Sequence, residues 1–511
     1  MLAKCYSGTL YGVEARTVEI EVFSVGGNPQ FTIVGLPDQA VKEAKDRVST
    51  AIGNSGFKRI ESNVTVNLAP ANVKKEGPIY DLPIAAALLV ATGRVACEAI
   101  AEFAFAGELA LSGEVRRVNG ILPITLEMRR IGKRGIVVPR ENAAEAAVVE
   151  GINVYPVNSL REVMDFLAGR YDIEPVRSDM GALLASHADE GDDFADVKGQ
   201  ETIRRAIEVA VAGGHNMLMV GSPGAGKTML ARRIPSILPP LTVPEALEVT
   251  RIHSVAGELK ARSSLVLRRP FRSPHHTVSS VGLLGGGAHP APGEVSLAHR
   301  GVLFLDELPE FRRDALEVLR QPVEDGKVSI ARAAAACDFP SRFMLVAAMN
   351  PCPCGYFGDP RHECRCSSRK VHDYRNRVSG PLLDRIDIQV EVQPVPTNQL
   401  NALPQGESSA VIRARVMAAR EIQRRRFEGM EGVHCNAEIR SRDLARFCRL
   451  NAAALARLQA AMVDLDLSAR AYDRVLKLAR TIADLRGSEE VGDEDVFEAS
   501  TYRSLDRSYW S

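Results

Sequence analysis

The chain lacks a net charge: its 511 residues carry 64 basic and 64 acidic side chains. A molecule balanced in this way exerts no overall pull on a polyanion, so a nucleic-acid partner has to meet a local basic patch. No apolar run is long enough to cross a bilayer. The longest candidate, "LPIAAALLVA" at 82–91, is about half of the roughly 20 residues a span needs. The first ten residues, "MLAKCYSGTL", have neither the apolar core nor the cleavage site of a signal peptide. Cysteine is sparse, nine in all, which excludes a secreted disulfide framework in so long a chain. Four of the nine fall within 352–366, a crowding that fits a metal site in a reducing cytoplasm. Internal repeats and low-complexity tracts are also missing. A cytoplasmic protein of about two to four domains, without membrane contact, is expected.

What is present separates into three regions. Residues 1–172 mix short β-rich runs ("RTVEIEVFSV", "QFTIVGL", "RGIVVP") with alanine-rich helical ones, an α+β pattern. A polar stretch, 173–197, reads as a linker. From 198 to 395 strands and helices alternate, as a doubly wound α/β sheet requires. After the proline-containing polar segment "QPVPTNQLNALPQGESS", the remainder, 396–511, reads helical.

The strongest motif is Gly221-Ser222-Pro223-Gly224-Ala225-Gly226-Lys227-Thr228, a complete G-x-x-x-x-G-K-[ST]. An apolar strand, "NMLMV", precedes it and a helical run follows. The glycines let backbone N–H groups turn onto phosphate oxygens, Lys227 reaches the β- and γ-phosphates, and the Thr228 hydroxyl suits Mg²⁺. A second buried strand, "GVLFLDE", ends in Asp306 and Glu307 at the edge where open α/β sheets bind ligands. Asp306 suits the Mg²⁺ shell and Glu307 the orientation of an attacking water. A third, "FMLVAAMN", ends in Asn350, whose amide is placed to report on the γ-phosphate.

Cys352, Cys354, Cys364 and Cys366 form C-x-C, nine residues, C-x-C. Four thiolates complete a tetrahedral Zn²⁺ shell without a water position, so a structural zinc is expected, with His362 an alternative ligand and free thiols the plain reading. Between the phosphate-loop helix and the Asp-Glu strand, Arg268, Arg269 and Arg272 surround Phe271, followed by His275, His276 and three successive glycines. Arginines for phosphates, an aromatic for a base and glycines for mobility suit a DNA-gripping loop. A hairpin read at 324–341 adds Lys327 and Arg332. The competing reading is that these arginines meet carboxylates of neighbouring subunits and the histidines support the fold.

The order of phosphate loop, "GVLFLDE", "AAMNPCPCG", "LLDRIDI" and "LSARAYDR" resembles AAA+ ATPases of the magnesium-chelatase-like group, and more closely the bacterial YifB/ComM family, over about residues 3–505. The resemblance implies an AAA+ core with a C-terminal helical lid. It makes Asn350 the sensor-1 residue, Arg385 an arginine finger acting on a neighbour's ATP, and Arg470 the sensor-2 residue. A homo-oligomeric ring follows, a hexamer, using ATP and Mg²⁺. The ComM branch implies helicase-like branch migration of DNA joints in natural transformation. The alternative is the ATPase subunit of a magnesium-chelatase-type complex without DNA activity. Within the sequence itself, Arg385 has Asp384 and Asp387 as candidate ion-pair partners. "VNLAPANVKKEGPIYDLPIAAALL" and the segment from "GELALSGEV" onward resemble the proteolytic domain of Lon, an α+β fold of the ribosomal S5 domain 2-like kind. The positions of that family's catalytic Ser and Lys are Ile79 and Ile124 here. Neither can attack a carbonyl or take a proton, so proteolysis has no carrier.

Overall fold

A computed structural model describes residues 1–185, 191–260, 263–287, 290–332, 335–359, 361–395, 405–430, 432–464 and 468–505. The first unit is built on the alternation in Glu14–Val25, where Val18, Ile20 and Val22 are buried and the glutamates between them face outward. That strand pairs antiparallel with Leu2–Tyr11, Cys5 opposite Ile20. The seven-stranded sheet runs Gln30–Val34, Asn63–Ala69, Glu14–Val25, Leu2–Tyr11, Phe103–Phe105, Gly135–Pro139, Asn153–Val157. The apolar run at 82–91 forms the helix Asp81–Ala91, every residue of which is buried. A helix that is apolar all round needs such a surrounding. Its one charge, Asp81, accepts from Arg47 Nε at 2.7 Å and Nη2 at 2.9 Å. Among the described residues no helix is long and apolar enough to cross a membrane.

Ile79 and Ile124 both lie in this unit's core. Ile124 is packed so closely on Gly8 that a Cβ there would stand 2.9 Å from its Cγ1. Tyr80, adjacent to Ile79, is buried and spends its hydroxyl on the Gly8 carbonyl at 3.3 Å.

The stretch read as a linker is more structured than its polarity suggests. Val176 forms a bridge with Val154, and Met180 packs beside Leu122 and Leu265. Phe194 and Val197 are buried in the core of the following unit. Met180–Ala185 is a short helix whose Met180 and Leu183, three apart, pack on the same cluster, and Phe194 and Val197 anchor the rest.

The second unit holds a five-stranded parallel sheet in the order Phe271–Arg272, Val302–Leu305, Met344–Met349, Met217–Val220, Ile388–Glu391. The three inner strands are wholly buried, as continuous apolar runs in parallel sheets are. The phosphate loop, Asp306 and Asn350 all follow the C-terminal ends of these three. The helix Val243–Ala256, opened by a Thr242/Glu245 capping box, runs from this unit to the first. Near its end Ser254 donates to the buried Glu145 carboxylate, which also accepts from Leu122 N at 3.0 Å and Asn142 Nδ2 at 3.1 Å.

The C-terminal part is helical, as expected: Ser409–Arg426, Ala452–Asp464, Ala469–Arg486 and Asp493–Thr501. A buried polar knot joins the first and third of these helices. Asp484 accepts from Arg426 Nη1 at 2.7 Å, Arg480 Nε at 3.1 Å and Asn436 Nδ2 at 2.8 Å. The basic face of Ser409–Arg426 is spent locally, Arg415 on Glu407 and Glu208, Arg424 and Arg425 on Glu421.

Candidate functional site

Gly221 N donates to Met349 O at 3.1 Å, which ties the start of the phosphate loop to the neighbouring strand. Gly221 tolerates no side chain, since a Cβ would lie 2.3 Å from the Val392 carbonyl oxygen. Gly226 has φ +91° and sits just before the helix Lys227–Ile237, a left-handed position that favours glycine. Lys227 is folded back over the loop: its Nζ donates to Gly221 O at 2.6 Å, Ser222 O at 3.1 Å and Asn350 Oδ1 at 3.1 Å. Burial pulls its pKa below the ordinary lysine value, opposed by the charges of Asp306 and Glu307. Thr228 Oγ1 donates to Asp306 Oδ2 at 2.5 Å. Lys227, Thr228, Asp306 and Asn350 therefore converge at the sheet edge, with the hydroxyl and carboxylate paired where a divalent cation would be shared. Glu307 follows in the left-handed region, φ 55°. That conformation is uncommon for a residue other than glycine and turns the carboxylate off the strand.

The sequence reading placed His276 in the basic loop and did not connect it with Glu307. Its Nδ1 stands 3.3 Å from Glu307 Oε2, and its ring rests on His275 and on the edge of Phe311. The signal was present: two histidines just past a strand that pairs with the Asp-Glu strand. Gln200 was also missed; its Nε2 donates to Ala225 O of the phosphate loop at 2.8 Å.

Arg385 pairs with neither of its sequence neighbours. Its guanidinium meets Glu324 and donates to Pro381 O at 2.6 Å. Asp384 instead faces Arg470 Nη1 at 3.4 Å, an exposed link between the core and the helical part. Asp387 is partly buried, and Nδ1 of His215 at 3.1 Å and the Arg474 charge hold its carboxyl down to about 2 against the effect of desolvation.

The basic segment is committed within its own chain. Arg269 donates to the carbonyls of Pro239 and Arg300, at 2.5 and 2.8 Å, and to Glu245 at 3.0 Å. Arg272 forks onto Glu294 at 2.7 and 2.8 Å and approaches Glu258. Either residue would have to give up a carboxylate to meet a phosphate, and the carboxylates are intramolecular, whereas the competing sequence reading looked to a neighbouring subunit. Arg268 is exposed. The hairpin is present as Lys327–Arg332 paired with Ala335–Pro340, and Lys327 projects from it against Asp338 at 2.8 Å. The side chain of Arg332 lies outside the described ones.

The sulfurs of Cys352, Cys354, Cys364 and Cys366 all lie within 4.8 Å of one another. Three of the spacings are 3.3, 3.6 and 3.7 Å. A tetrahedral ZnS₄ centre with bonds of about 2.3 Å has edges of about 3.8 Å, so the four residues fit that ion. The backbone N–H of Tyr356 brings the Cys354 thiol down to about 6, while the neighbouring sulfurs push Cys366 up and Cys364 up to about 12. His362 is not in the cluster; it stacks on Tyr356 and faces Asp359. The Asp359 carboxyl is held below the usual carboxylate range by the backbone N–H of Arg361 and by the Ser222 hydroxyl of the phosphate loop.

Three family models match in sequence order. Subunit ChlI of Mg-chelatase matches residues 18–142, the magnesium chelatase subunit ChlI model 193–400, and its C-terminal model 406–503. The chain is 43% identical over 508 residues to the uncharacterized protein YifB of Salmonella typhimurium, covering 99% of this chain and 98% of that one. It is equally 43% identical over 509 residues to the competence protein ComM of Haemophilus influenzae, with the same two coverages. A Lon protease of Chloroflexus aggregans is 28% identical over 166 residues, 30% of this chain and 20% of its own length.

Proposed function

The chain belongs to the YifB/ComM family of magnesium-chelatase-like AAA+ proteins, and from that premise we propose that it is an ATP-hydrolysing ring motor acting on branched DNA. The observation that carries the ATPase part is the convergence of Lys227, Thr228, Asp306 and Asn350 at one sheet edge. Lys227 would exchange its loop carbonyls for β- and γ-phosphate oxygens. Thr228 and Asp306 are the pair that would hold Mg²⁺, which neutralises developing charge on the phosphates. Glu307 orients the attacking water. Arg385, supplied to the neighbouring subunit's ATP, would compensate the charge spread over the γ-oxygens, and Arg470 would sense the nucleotide from the helical part. Six copies complete such a ring. Zinc is the ion the four sulfurs suit.

The DNA part is supported by the name of the Haemophilus relative, a competence protein, and by the exposed Lys327 hairpin and Arg268. The test is the ATPase rate and strand displacement on four-way junctions against linear duplex at moderate salt. Stimulation by the junction is expected; a rate indifferent to every DNA structure sinks the reading. In that event the match to the chelatase ATPase models favours an ATPase subunit of a chelatase-type complex.

A further inference from the structure

Asn216 directly precedes the strand Met217–Val220, whose other end opens into Gly221 and the phosphate loop. Both ends of its side-chain amide are used. Oδ1 accepts from Leu345 N at 2.9 Å, and Nδ2 donates to the Arg385 carbonyl at 2.9 Å. The Asn216 carbonyl accepts in turn from Asp387 N and Ile388 N, each at 3.0 Å. From there Ile388 pairs with Met217 and Glu391 with Val220, in parallel register. The turn that carries Arg385 therefore lies at the end of the sheet away from its own phosphate loop, and the intervening four-residue strand spans about 13 Å. Such a separation suits a guanidinium that serves a neighbour's ATP and not its own. Beyond Arg385 the turn has other supports: Arg474 Nη1 and Arg503 Nη1 donate to Ile386 O at 3.3 and 2.5 Å, and Asp387 meets His215 Nδ1 at 3.1 Å. Those bonds secure Ile386 and Asp387. The hold on the carbonyl of Arg385 comes from Asn216.

We propose that Asn216 is a positioning residue for Arg385: its Nδ2 fixes the backbone of the finger residue, so the guanidinium offered to the next subunit is placed from the root of the strand that leads to the phosphate loop. The proposal rests on the reading of Arg385 as acting in trans. Compensation of charge on the γ-oxygens demands close geometry, and a displacement of about 1 Å costs on the order of a hundredfold in rate. Asn216→Asp isolates the bond in question. It keeps the size of the side chain and the oxygen that accepts from Leu345 N, but it turns the donor to Arg385 into a second oxygen. Two facing oxygens repel, which moves the turn while the strand itself stays paired.

The experiment measures ATP turnover, binding of a fluorescent, non-hydrolysed ATP analogue and melting temperature on full-length protein, with turnover repeated in mixed rings. Asn216→Asp is expected to bind the analogue as the wild type does and to hydrolyse ATP roughly a hundredfold more slowly. Mixed with Lys227→Ala subunits, which keep both Asn216 and Arg385, it should regain turnover. Mixed with Arg385→Ala subunits it should not, because neither partner then offers a placed guanidinium. A merely structural lesion would damage the variant's own phosphate loop, and Lys227→Ala subunits could not restore it. Retained turnover in Asn216→Asp while Arg385→Ala is inactive overturns the proposal. So does a loss that Lys227→Ala fails to repair although it repairs Arg385→Ala. Wild-type turnover in Arg385→Ala is the separate result that removes action in trans, and the proposal with it. If Asn216→Asp does not fold, Asn216→Ala, which deletes the donor without adding a charge, decides by the same criteria.

Discussion

Nδ1 of His276 lies 3.3 Å from Oε2 of Glu307, and this is the carboxylate's one tie to the segment that runs from Phe271 towards the three glycines. Glu307 is about half exposed and leaves its strand in a left-handed turn. Little else on its own element restricts the side chain, so the imidazole fixes where the carboxylate points. The same segment carries Arg272, with Arg268 a few residues before it, which places a candidate polymer-contacting stretch one residue contact away from the group expected to orient water.

His276→Ala should therefore lower kcat for ATP roughly fivefold, since a side-chain hydrogen bond to a carboxylate contributes about 1 kcal/mol, with KM changed little. His276→Gln, which retains a donor, should restore part of the rate. Glu307→Gln should retain ATP binding and lose turnover by at least about a hundredfold. Steady-state kinetics on the three variants provide the check, and an unchanged kcat in His276→Ala removes the positioning role.

Arg385 meets Glu324 within its own chain, so action on a neighbour's ATP requires that pair to open. Arg385→Ala should lose turnover by about a thousandfold, the scale on which arginine fingers act. Mixed with Lys227→Ala, which keeps its own Arg385 but cannot use ATP, it should regain activity in joint rings. Glu324→Gln, which frees the guanidinium, should raise the basal rate. Failure of rescue at every mixing ratio would falsify supply in trans.

The parts of the site that were legible in the sequence are those whose chemistry is contiguous. The phosphate loop, the Asp306-Glu307 pair and the two C-x-C pairs each declare themselves within a few residues, because strand, turn and helix follow directly from local pattern. His276 against Glu307, Glu324 against Arg385 and Gly355 against Pro223 join residues separated by 31, 61 and 132 positions. No periodicity encodes such pairings; they arise only when crossovers of the parallel sheet bring distant loops to one edge. Arg269 shows the converse error. Read as a basic residue it suggests DNA, yet three of its partners are backbone carbonyls, which no side-chain pattern records. The polarity of the linker likewise hides its anchors, the short helix Met180–Ala185 and the buried Phe194 and Val197.

Stability should fall as the solution is acidified from neutrality. Burial lowers the pKa of His253, whose Nε2 donates to Leu297 O at 3.0 Å, and likewise that of His299, whose Nδ1 accepts from Arg342 N at 2.9 Å. Both are neutral in the fold. The unfolded chain takes up their protons first, near pH 6.5, so stability is complete above that value and declines as pH drops below it. Each histidine contributes a slope of up to about 1.4 kcal/mol per pH unit. Glu258 and Glu294 moderate the effect at His253, and Glu248 does so at His299. Melting temperatures between pH 8 and pH 5 should show the decline, and His253→Gln should flatten it; a pH-independent melting temperature contradicts the assignment.

The knot around Asp484 offers the sharpest stability test. Its carboxylate is fully buried, as is the Arg480 guanidinium, and Arg426 is nearly so. While all three are present, desolvation and mutual attraction roughly offset each other. Removing the carboxylate leaves two guanidiniums buried with only Asn436 and carbonyl partners, at 3.1 Å for Arg426 and 2.6 Å for Arg480. Asp484→Ala should therefore destabilise the helical part by about 3–5 kcal/mol, seen as a separate early transition in urea unfolding. Asp484→Asn keeps the acceptor and loses only the charge, so it should cost less. The second substitution Arg480→Met in the Asp484→Ala background should recover part of the loss, because it removes the stranded charge and leaves an apolar chain of similar length. A double variant as unstable as Asp484→Ala would show that the knot acts through packing, with no measurable contribution from its charges.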